Sequence, residues 1–126
     1  MKSKFSKSWK ASKQPRKQRK YRYNATKNIR NKFIDSHLSK DLKKKYNKRS
    51  VRIKKGDKVK IMRGQYKNKA GKIERINVKR EKVYIQGVEG VKKDGTKIFV
   101  PVHPSNLLVL ELEMDDRIRK KIIERK

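Results

Sequence analysis

The segment from Lys55 to Val78 constrains the fold more than any other part of the sequence. It reads KGDKVKIMRGQYKNKAGKIERINV, with alternating apolar and basic strand patterns on either side of a loop bounded by Gly64 and Gly71. Alternation at period two is typical of strands with one buried face. The loop residues 65–69 are basic, amide or aromatic. We therefore predict two strands joined by a loop that presents cations and hydrogen-bond donors to an anionic polymer.

Short strand patterns on both sides of this segment predict a small barrel. Val51 and Ile53 alternate with basic residues, and Gly56-Asp57 has the composition of a turn. A change of phase after Ile73 predicts a β-bulge, and residues 82–86 alternate cleanly again. Five or six such strands within about 60 residues, joined by tight glycine turns, favour a barrel that avoids open edges.

A hairpin and a final strand complete the pattern. Asp94-Gly95 predicts a two-residue turn, which places Val91 opposite Ile98 on one buried face. The sequence His103-Pro104-Ser105-Asn106 predicts a further turn, which leads into the last strand. We therefore expect the barrel to span residues 50–112.

The charge of the chain indicates its partner. The sequence has 41 Lys and Arg against 12 Asp and Glu, a formal net charge of +29 on 126 residues. Self-repulsion of this size disfavours a compact fold unless a partner neutralises it. Nucleic acid is the leading partner, because each neutralised phosphate releases counterions and adds affinity that does not depend on sequence. An anionic membrane surface is the alternative, although no run of about 18 apolar residues could span a bilayer.

The positive charge is concentrated toward the N-terminus, where residues 1–50 hold 19 basic and 2 acidic side chains. We interpret residues 1–23 as an extended basic arm that is disordered alone, because they lack an apolar period. Weak apolar stripes predict short helices at about residues 25–34 and 40–46, the second capped by Ser39. These helices have few apolar residues and need a surface to lie on.

Residues 113–126 predict a C-terminal helix. Asp115-Asp116 begins it and basic residues end it, which is the polarity that a helix dipole prefers. Met114, Ile118 and Ile122 line one face of this helix. We therefore expect that face to pack on the barrel or on a neighbouring molecule.

The segment from Lys55 to Val78 resembles the KOW motif, which occurs in small SH3-like barrels of ribosomal proteins and transcription elongation factors. The motif alone is shared among several functions. The matching positions are Gly56-Asp57-Lys58-Val59, Ile61-Met62, Gly64 and Ala70-Gly71-Lys72-Ile73.

Three further stretches narrow this resemblance. They are SKQPRKQRKYRYNA, HLSKDLKKKYNKRS and DGTKIFVPVHPSNL. Together they are similar to the universal large-subunit ribosomal protein twenty-four, in the archaeal/eukaryotic branch that carries the name ribosomal protein twenty-six in the eukaryotic series. The resemblance covers the chain from about Ser12 to Arg119. The longer C-terminal tail typical of eukaryotic members is missing, which favours an archaeal source.

This resemblance implies a mainly β fold. A small SH3-like KOW barrel at residues 50–112 would follow a basic, partly helical N-terminal extension at residues 1–49 and precede the C-terminal helix. It also implies a structural constituent of the large ribosomal subunit, cytoplasmic and ribosome-bound, which binds the 5′ region of large-subunit rRNA early in assembly. The family sits beside the exit of the nascent-chain tunnel. Its implied partners are neighbouring large-subunit proteins and, at the tunnel exit, targeting factors or nascent chains.

The candidate rRNA-binding residues lie in the arm, in the helical region and around the loop. Arginine can contact phosphate bidentately, lysine acts as a point charge, and aromatic rings can stack on unpaired bases. Gly64 lets the backbone turn sharply, and Gly71 lets it approach a phosphate closely. The alternatives are a solvated basic tail and a plain hairpin loop whose glycines serve only the turn. The candidates are Trp9, Lys10, Lys13, Arg16, Lys17, Arg19, Lys20, Tyr21, Arg22, Arg30, Lys32, Arg49, Arg52, Lys58, Arg63, Gly64, Gln65, Tyr66, Lys67, Asn68, Lys69, Gly71, Lys72 and His103.

Other sites carry weaker signals. His37 and His103 are the only histidines and have no cysteine partners, so we predict no metal site. Asp57 is interpreted as turn chemistry, and Asp115-Asp116 as the start of a helix. Because no nucleophile, base and orienting group assemble, we predict a protein that is not an enzyme and uses no cofactor.

Three other functions compete with a ribosomal role. One is a KOW-type module of transcription elongation or other RNA binding, but such modules usually accompany further domains and are less basic. Another is a chromosomal protein that compacts DNA, which would need a way to wrap or bridge duplexes. The third is a membrane-active protein, which does not require the mixture of Arg, Gln, Pro and Tyr in the arm.

Overall fold

The computed structural model describes residues 5–6, 9 and 11–125, and the chain is mainly β. The helices are α1 (Pro15–Asn24), α2 (Lys27–Lys32), α3 (Lys40–Tyr46) and α4 (Arg117–Glu124). The strands are β1 (Asp35–Leu38), β2 (Ser50–Arg52), β3 (Lys58–Ile61), β4 (Ala70–Asn77), β5 (Lys82–Ile85), β6 (Glu89–Val91), β7 (Lys97–Phe99) and β8 (Leu107–Glu111). A 3-10 turn at Pro104–Asn106 precedes β8.

Six strands form one mixed sheet in the order β2-β1-β8-β3-β4-β5, and β6 pairs with β7 in a second sheet. All pairs are antiparallel except β1 with β8. The predicted bulge after Ile73 is confirmed, because the register of β4 against β5 shifts between Ile73 and Arg75. A mainly β, SH3-like domain with helices toward both ends of the chain confirms the predicted fold class.

The N-terminal extension contributes to the core, which the sequence did not predict. Ile34 and Leu38 are buried with the barrel residues, and β1 pairs with β8. The hydrophobic core therefore includes residues from both sides of residue 50, where the composition changes. The buried core comprises Ile34, Leu38, Ile53, Val59, Ile61, Ile73, Val83, Ile85, Val88, Val102, Leu107 and Val109.

The basic arm differs from the extended chain that its composition predicted, since Pro15–Asn24 is the helix α1. Pro15 at the first helical positions is pre-organised for a helix, and the Arg, Lys and Gln that follow have favourable helix propensities. The ring of Tyr21 lies 4.4 Å from that of Trp9 and 6.1 Å from that of Phe33. These contacts supply apolar support that no periodic pattern in the sequence revealed.

The predicted pairing of Val91 with Ile98 is wrong. Val91 lies opposite Lys97, and its side chain is 72% exposed. The amide of Gly95 donates to the carbonyl of Lys92, and Gly95 has a φ of +82°. A turn followed by a left-handed glycine adds one residue to the loop, so the register moves by one position and the facing side chains change.

Of the two alternatives for the C-terminal helix, packing of its predicted face on the barrel is wrong. Ile118 and Ile122 are 69% and 53% exposed, whereas Arg119 and Ile123 are buried. Apolar periodicity could not select Arg119, because a buried arginine is tolerated only where a partner compensates its charge. That partner is Asp57, whose side chain is fully buried.

Asp57 does more than form the predicted turn. Its carboxylate accepts hydrogen bonds from the backbone amides of Lys54, at 2.8 Å, and Glu113, at 2.9 Å, besides those from Arg119. It therefore joins the turn before β3 to the segment that leads into α4. A charge satisfied in this way can remain buried.

Candidate nucleic-acid interface

Backbone hydrogen bonds fix the loop between β3 and β4. The amide of Lys67 donates to the carbonyl of Gly64 at 3.0 Å, and the amide of Asn68 donates to Ile61 at 2.8 Å. Gly64 and Asn68 both have positive φ, at 95° and 71°. The turn therefore needs a residue that accepts a left-handed backbone, which is the role predicted for Gly64. The side chains of Arg63, Gln65, Lys67, Asn68 and Lys69 are exposed on this loop.

Tyr66 anchors the loop to the barrel. Its ring packs against the core, and its hydroxyl donates to the carbonyl of Glu89 at 3.1 Å. The Nζ of Lys69 lies over the ring, 5.2 Å from its centroid. The side chains of Tyr66 and Lys69, both predicted to contact RNA, are thus engaged with other groups of the protein. We therefore assign Tyr66 a positioning role for the neighbouring polar side chains.

The loop and the segment 100–106 enclose a cleft of about 260 Å³. The cleft brings His103, which the sequence predicted as an RNA contact, beside the loop. It also includes Lys82 and Asn106, which the sequence analysis did not select; only the turn composition of His-Pro-Ser-Asn could have pointed to Asn106. The lining residues are Ile61, Arg63, Gly64, Gln65, Tyr66, Lys82, Val100, Pro101, Val102, His103 and Asn106.

Glu81 connects this cleft to α1. Its Oε2 lies 3.4 Å from Nε2 of His103 and 3.4 Å from a terminal nitrogen of Arg22. The other ring nitrogen of His103, Nδ1, accepts a hydrogen bond from the amide of Ser105 at 3.2 Å. The imidazole is therefore held from both sides. The contact to Arg22 brings the C-terminal end of α1 close to the cleft.

Helix α1 forms a second cationic surface. Arg16, Lys17, Arg19 and Lys20 are exposed, and none has an acidic partner among the residues that the structure describes. Like charges three and four residues apart destabilise an isolated helix, so an anion along this surface would stabilise it.

The aromatic residues of the arm contact one another. Trp9 and Tyr21, predicted to stack on bases, are packed together with centroids 4.4 Å apart, and Phe5 lies 5.0 Å from Tyr21. Their rings therefore support α1 in this structure. Lys10, a further predicted contact, lies outside the described residues.

Several other predicted cations are engaged within the protein. A terminal nitrogen of Arg30 donates to the carbonyl of Tyr23, next to the end of α1. Arg52 lies 3.8 Å from Asp35, and Lys58 lies 2.7 Å from Glu111. Burial raises the pKa of Asp35 and outweighs the opposite effect of Arg52. Besides the cations of the loop and of α1, four predicted cations are exposed without an acidic partner in the described part of the chain: Lys13, Lys32, Arg49 and Lys72.

Gly71 has a structural role that differs from the one predicted. A Cβ at this position would lie 2.4 Å from the backbone oxygen of Gln86 and 2.9 Å from the side chain of Ile85. The close approach that requires glycine is therefore between β4 and the end of β5, within the protein itself.

Within the described residues, no helix has the length and apolar character needed to cross a membrane. That same part of the chain has no group of three or more His, Asp or Glu side chains placed to hold a metal ion. The loop, the cleft and helix α1 present cations, amides and the imidazole of His103, groups that suit phosphates and base edges.

Comparisons with a family model and with individual proteins point to the same family. A family model that describes the eukaryotic ribosomal proteins L26 and their archaeal L24 counterparts matches residues 12–126. The large ribosomal subunit protein uL24 of Methanosphaera stadtmanae is 44% identical over 115 residues, which cover 91% of this chain and 98% of that protein. Its counterpart from Methanothrix thermoacetophila is 45% identical, covering 90% and 98% of the two chains. That from Methanocella arvoryzae is 48% identical, covering 91% and 93%.

Proposed function

Because this chain belongs to the family of eukaryotic L26 and archaeal L24 ribosomal proteins, we propose that it is a structural constituent of the large ribosomal subunit that binds large-subunit rRNA. The observation that carries this proposal is the near full-length similarity to archaeal uL24 proteins of the large subunit. The two cationic surfaces described above supply the physical means of RNA binding.

The two surfaces have different mechanical properties. The loop between β3 and β4 is fixed by its own backbone hydrogen bonds and by Tyr66, so its cations lose little conformational freedom on binding. Helix α1 carries like charges along one short element and depends on a small aromatic cluster. The loop is thus a preformed contact, and α1 is ordered further by the phosphates that it neutralises.

Family membership supports a further proposal about the position of the chain on the subunit. We propose that the chain binds the 5′ region of large-subunit rRNA early in assembly and lies beside the tunnel exit, where neighbouring proteins, targeting factors and nascent chains contact it. A large excess of positive charge in both halves of the chain supports an environment rich in rRNA. The exposed Ile118 and Ile122 of α4 offer an apolar contact to a neighbouring large-subunit protein.

Sedimentation tests the ribosomal role. In a cell lysate separated on a sucrose gradient, the chain should migrate with large subunits and stay with them at moderate salt. Recovery with RNA polymerase would instead favour a transcription elongation module, and recovery with the nucleoid after RNase treatment would favour a chromosomal protein. Crosslinking to the isolated large subunit should then map to the 5′ region of the large rRNA, with protein crosslinks at residues 16–20 and 63–69.

A further inference from the structure

The cleft between the loop and the segment 100–106 has an apolar floor and a polar rim. Val102 and Ile61 are buried beneath it, and Val100 and Pro101 form its side. An apolar floor with a few convergent polar groups is the usual composition of a ligand site. The rim consists of Arg63, Gln65, Lys82, His103 and Asn106.

The polar rim has unused hydrogen-bonding capacity. Among the described residues, the side chains of Gln65, Lys82 and Asn106 form no hydrogen bond or ion pair within the protein. An amide side chain offers both donors and an acceptor, which is the combination displayed by the edges of nucleobases. Two amides on one cleft therefore match a neutral, planar, polar-edged ligand better than they match a bare anion.

Asn106 is held in place by its backbone. Its carbonyl accepts a hydrogen bond from the amide of Met62 at 2.8 Å, and its own amide donates to the carbonyl of His103 at 3.0 Å. The residue is half-buried and closes the 3-10 turn before β8. Its side chain thus projects from a fixed backbone, and a side chain presented in this way needs little ordering when a ligand binds.

The size of the cleft limits what can enter. Sites for drug-sized ligands usually measure about 300–1,000 Å³. This cleft, at about 260 Å³, lies just below that range and would accommodate one unstacked base. A base pair within a helix cannot expose its face to such a floor, because both of its faces are covered by stacking.

Arg63 and Lys82 lie on the same rim as the two amides. A base that enters the cleft brings its flanking phosphates with it, and cations at the rim neutralise them. His103, held between Ser105 and Glu81, contributes a planar ring in a fixed orientation. The cleft therefore offers contacts for the base, for its flanking phosphates and for stacking or packing against the ring of His103.

We propose that this cleft binds a single unstacked nucleobase of the RNA partner, with Asn106 and Gln65 hydrogen-bonding to its edge. Arg63 and Lys82 neutralise the adjoining phosphates. This inference rests on the proposed function, since it names the subsite through which RNA is contacted. It also gives the barrel a preference for an unpaired nucleotide, which charge alone does not supply.

NMR titration of the full chain with adenosine 5′-monophosphate and uridine 5′-monophosphate tests the subsite, with ribose 5-phosphate and inorganic phosphate as comparisons. At least one nucleotide should shift the signals of residues 61–66 and 100–106 clearly more than the two base-free probes, which can engage only the cations of the rim. Equal shifts with ribose 5-phosphate would show a phosphate site and overturn the proposal. An absence of shifts at these residues up to the solubility limit of the nucleotides would overturn it as well.

Matched variants test the amide contact. Asn106→Ala should weaken nucleotide binding at least about fivefold, the effect of one lost hydrogen bond. Asn28→Ala, an exposed asparagine on α2, should leave it unchanged. Equal affinities of the Asn106→Ala variant and the parent chain would contradict the proposal, provided that the backbone signals of the variant show an intact fold.

An rRNA fragment separates this inference from the proposed function. The Asn106→Ala variant should still bind a 5′ large-subunit rRNA fragment, because most of the affinity comes from phosphate contacts. It should lose the parent chain's preference for an RNA duplex with one bulged nucleotide over the fully paired duplex. Failure of the parent chain to bind the rRNA fragment would contradict the proposed function, whereas unchanged preference in the variant would contradict only the base subsite.

Discussion

The guanidinium of Arg119 donates to both carboxylate oxygens of Asp57, at 2.6 and 2.7 Å, across 62 positions of sequence. The Asp57 side chain is fully buried, and that of Arg119 is 5% exposed. Arg119 also donates to the backbone carbonyls of Glu113 and Arg52. One side chain of α4 therefore holds the turn before β3, the end of β2 and the segment after β8 in a fixed arrangement.

Removal of either member of this pair should destabilise the chain strongly. Arg119→Met leaves a buried carboxylate without its counter-charge, and loss of one partner of a buried pair typically costs about 3–5 kcal/mol. The double variant Asp57→Asn/Arg119→Met should lose less than the sum of the single losses, because neither charge is then left unpaired. Urea unfolding followed by circular dichroism measures the losses in Asp57→Asn, in Arg119→Met and in the double variant, and additive losses would contradict the coupling.

An exposed ion pair on the same barrel provides the control. Lys58 and Glu111 lie 2.7 Å apart, with side chains 43% and 66% exposed. Because water screens such a pair, Lys58→Gln should change the free energy of unfolding by less than about 1 kcal/mol.

Substitution of Gly64 and substitution of Gly71 should have different effects. Gly64→Ala places a side chain at a φ of +95° with nothing within 4 Å, so only backbone strain of about 1–2 kcal/mol is expected. Gly71→Ala places a Cβ 2.4 Å from the backbone of Gln86, so β4 and β5 must separate. Hydrogen exchange should show faster opening of these two strands in Gly71→Ala alone. Equal protection in both variants would contradict the structural role of Gly71.

The stability of α4 should depend on acid pH through its N-cap. Hydrogen bonds from Lys54 and from the backbone amides of Arg119 and Ile118 lower the pKa of Asp116. The ionised carboxylate therefore stabilises the folded state above its unfolded pKa of about 3.8, and this contribution is lost as pH falls through the lower folded pKa. Asp116→Asn keeps a capping oxygen but should lack this part of the acid dependence.

Unfolding midpoints measured from neutral pH to about pH 2 test this expectation. Asp115→Asn, at the neighbouring exposed carboxylate that does not cap the helix, serves as the control. If Asp116→Asn retained the full acid dependence of the parent chain, the contribution of the N-cap would be refuted.

The salt dependence of rRNA binding should report both cationic surfaces. Each cation that contacts a phosphate contributes about 0.7–0.9 to the slope of log affinity against log salt. Lys67→Gln in the loop and Arg16→Gln in α1 should each reduce the slope by about that amount. Lys120→Gln, an exposed change on α4, should not. An unchanged slope for Lys67→Gln would show that Lys67 does not contact a phosphate and would contradict the role of the loop in RNA binding.

The single tryptophan reports the packing of α1. The rings of Trp9 and Tyr21 lie 4.4 Å apart, so Tyr21→Ala should expose the indole and shift its fluorescence emission to longer wavelength. Tyr23→Ala, on the same helix at a side chain that is 81% exposed, should leave the emission unchanged. Equal emission of the two variants would contradict the aromatic cluster.

The parts of the fold that follow local rules were predictable from the sequence. Alternation revealed the strands of the barrel, the change of phase at Ile73 revealed the bulge, and Gly64 marked the loop. Each of these features depends on residues that are close together in sequence. The loop cations could be recognised for the same reason, since their type and spacing are visible without knowledge of packing.

The remaining features depend on partners distant in sequence. Asp57 resembled an ordinary turn residue, because nothing near it in the sequence indicates a buried guanidinium. Asn106 and Lys82 could not be assigned to a cleft before the register of β5 and the 3-10 turn was known. The buried face of α4 could not be predicted for the same reason, because Arg119 is buried against a partner distant in sequence whereas Ile118 is exposed.

The parallel pairing of β1 with β8 has a consequence for synthesis. Leu38 pairs with Val109, so an early strand of the chain acquires one of its two neighbours only when the last strand has been made. Until then β1 has only β2 beside it, and isolated two-stranded hairpins are marginal in water. A chain terminated before β8 would therefore carry the cationic N-terminal region without a completed sheet. Such a fragment would associate indiscriminately with any RNA that it met and would be exposed to proteolysis.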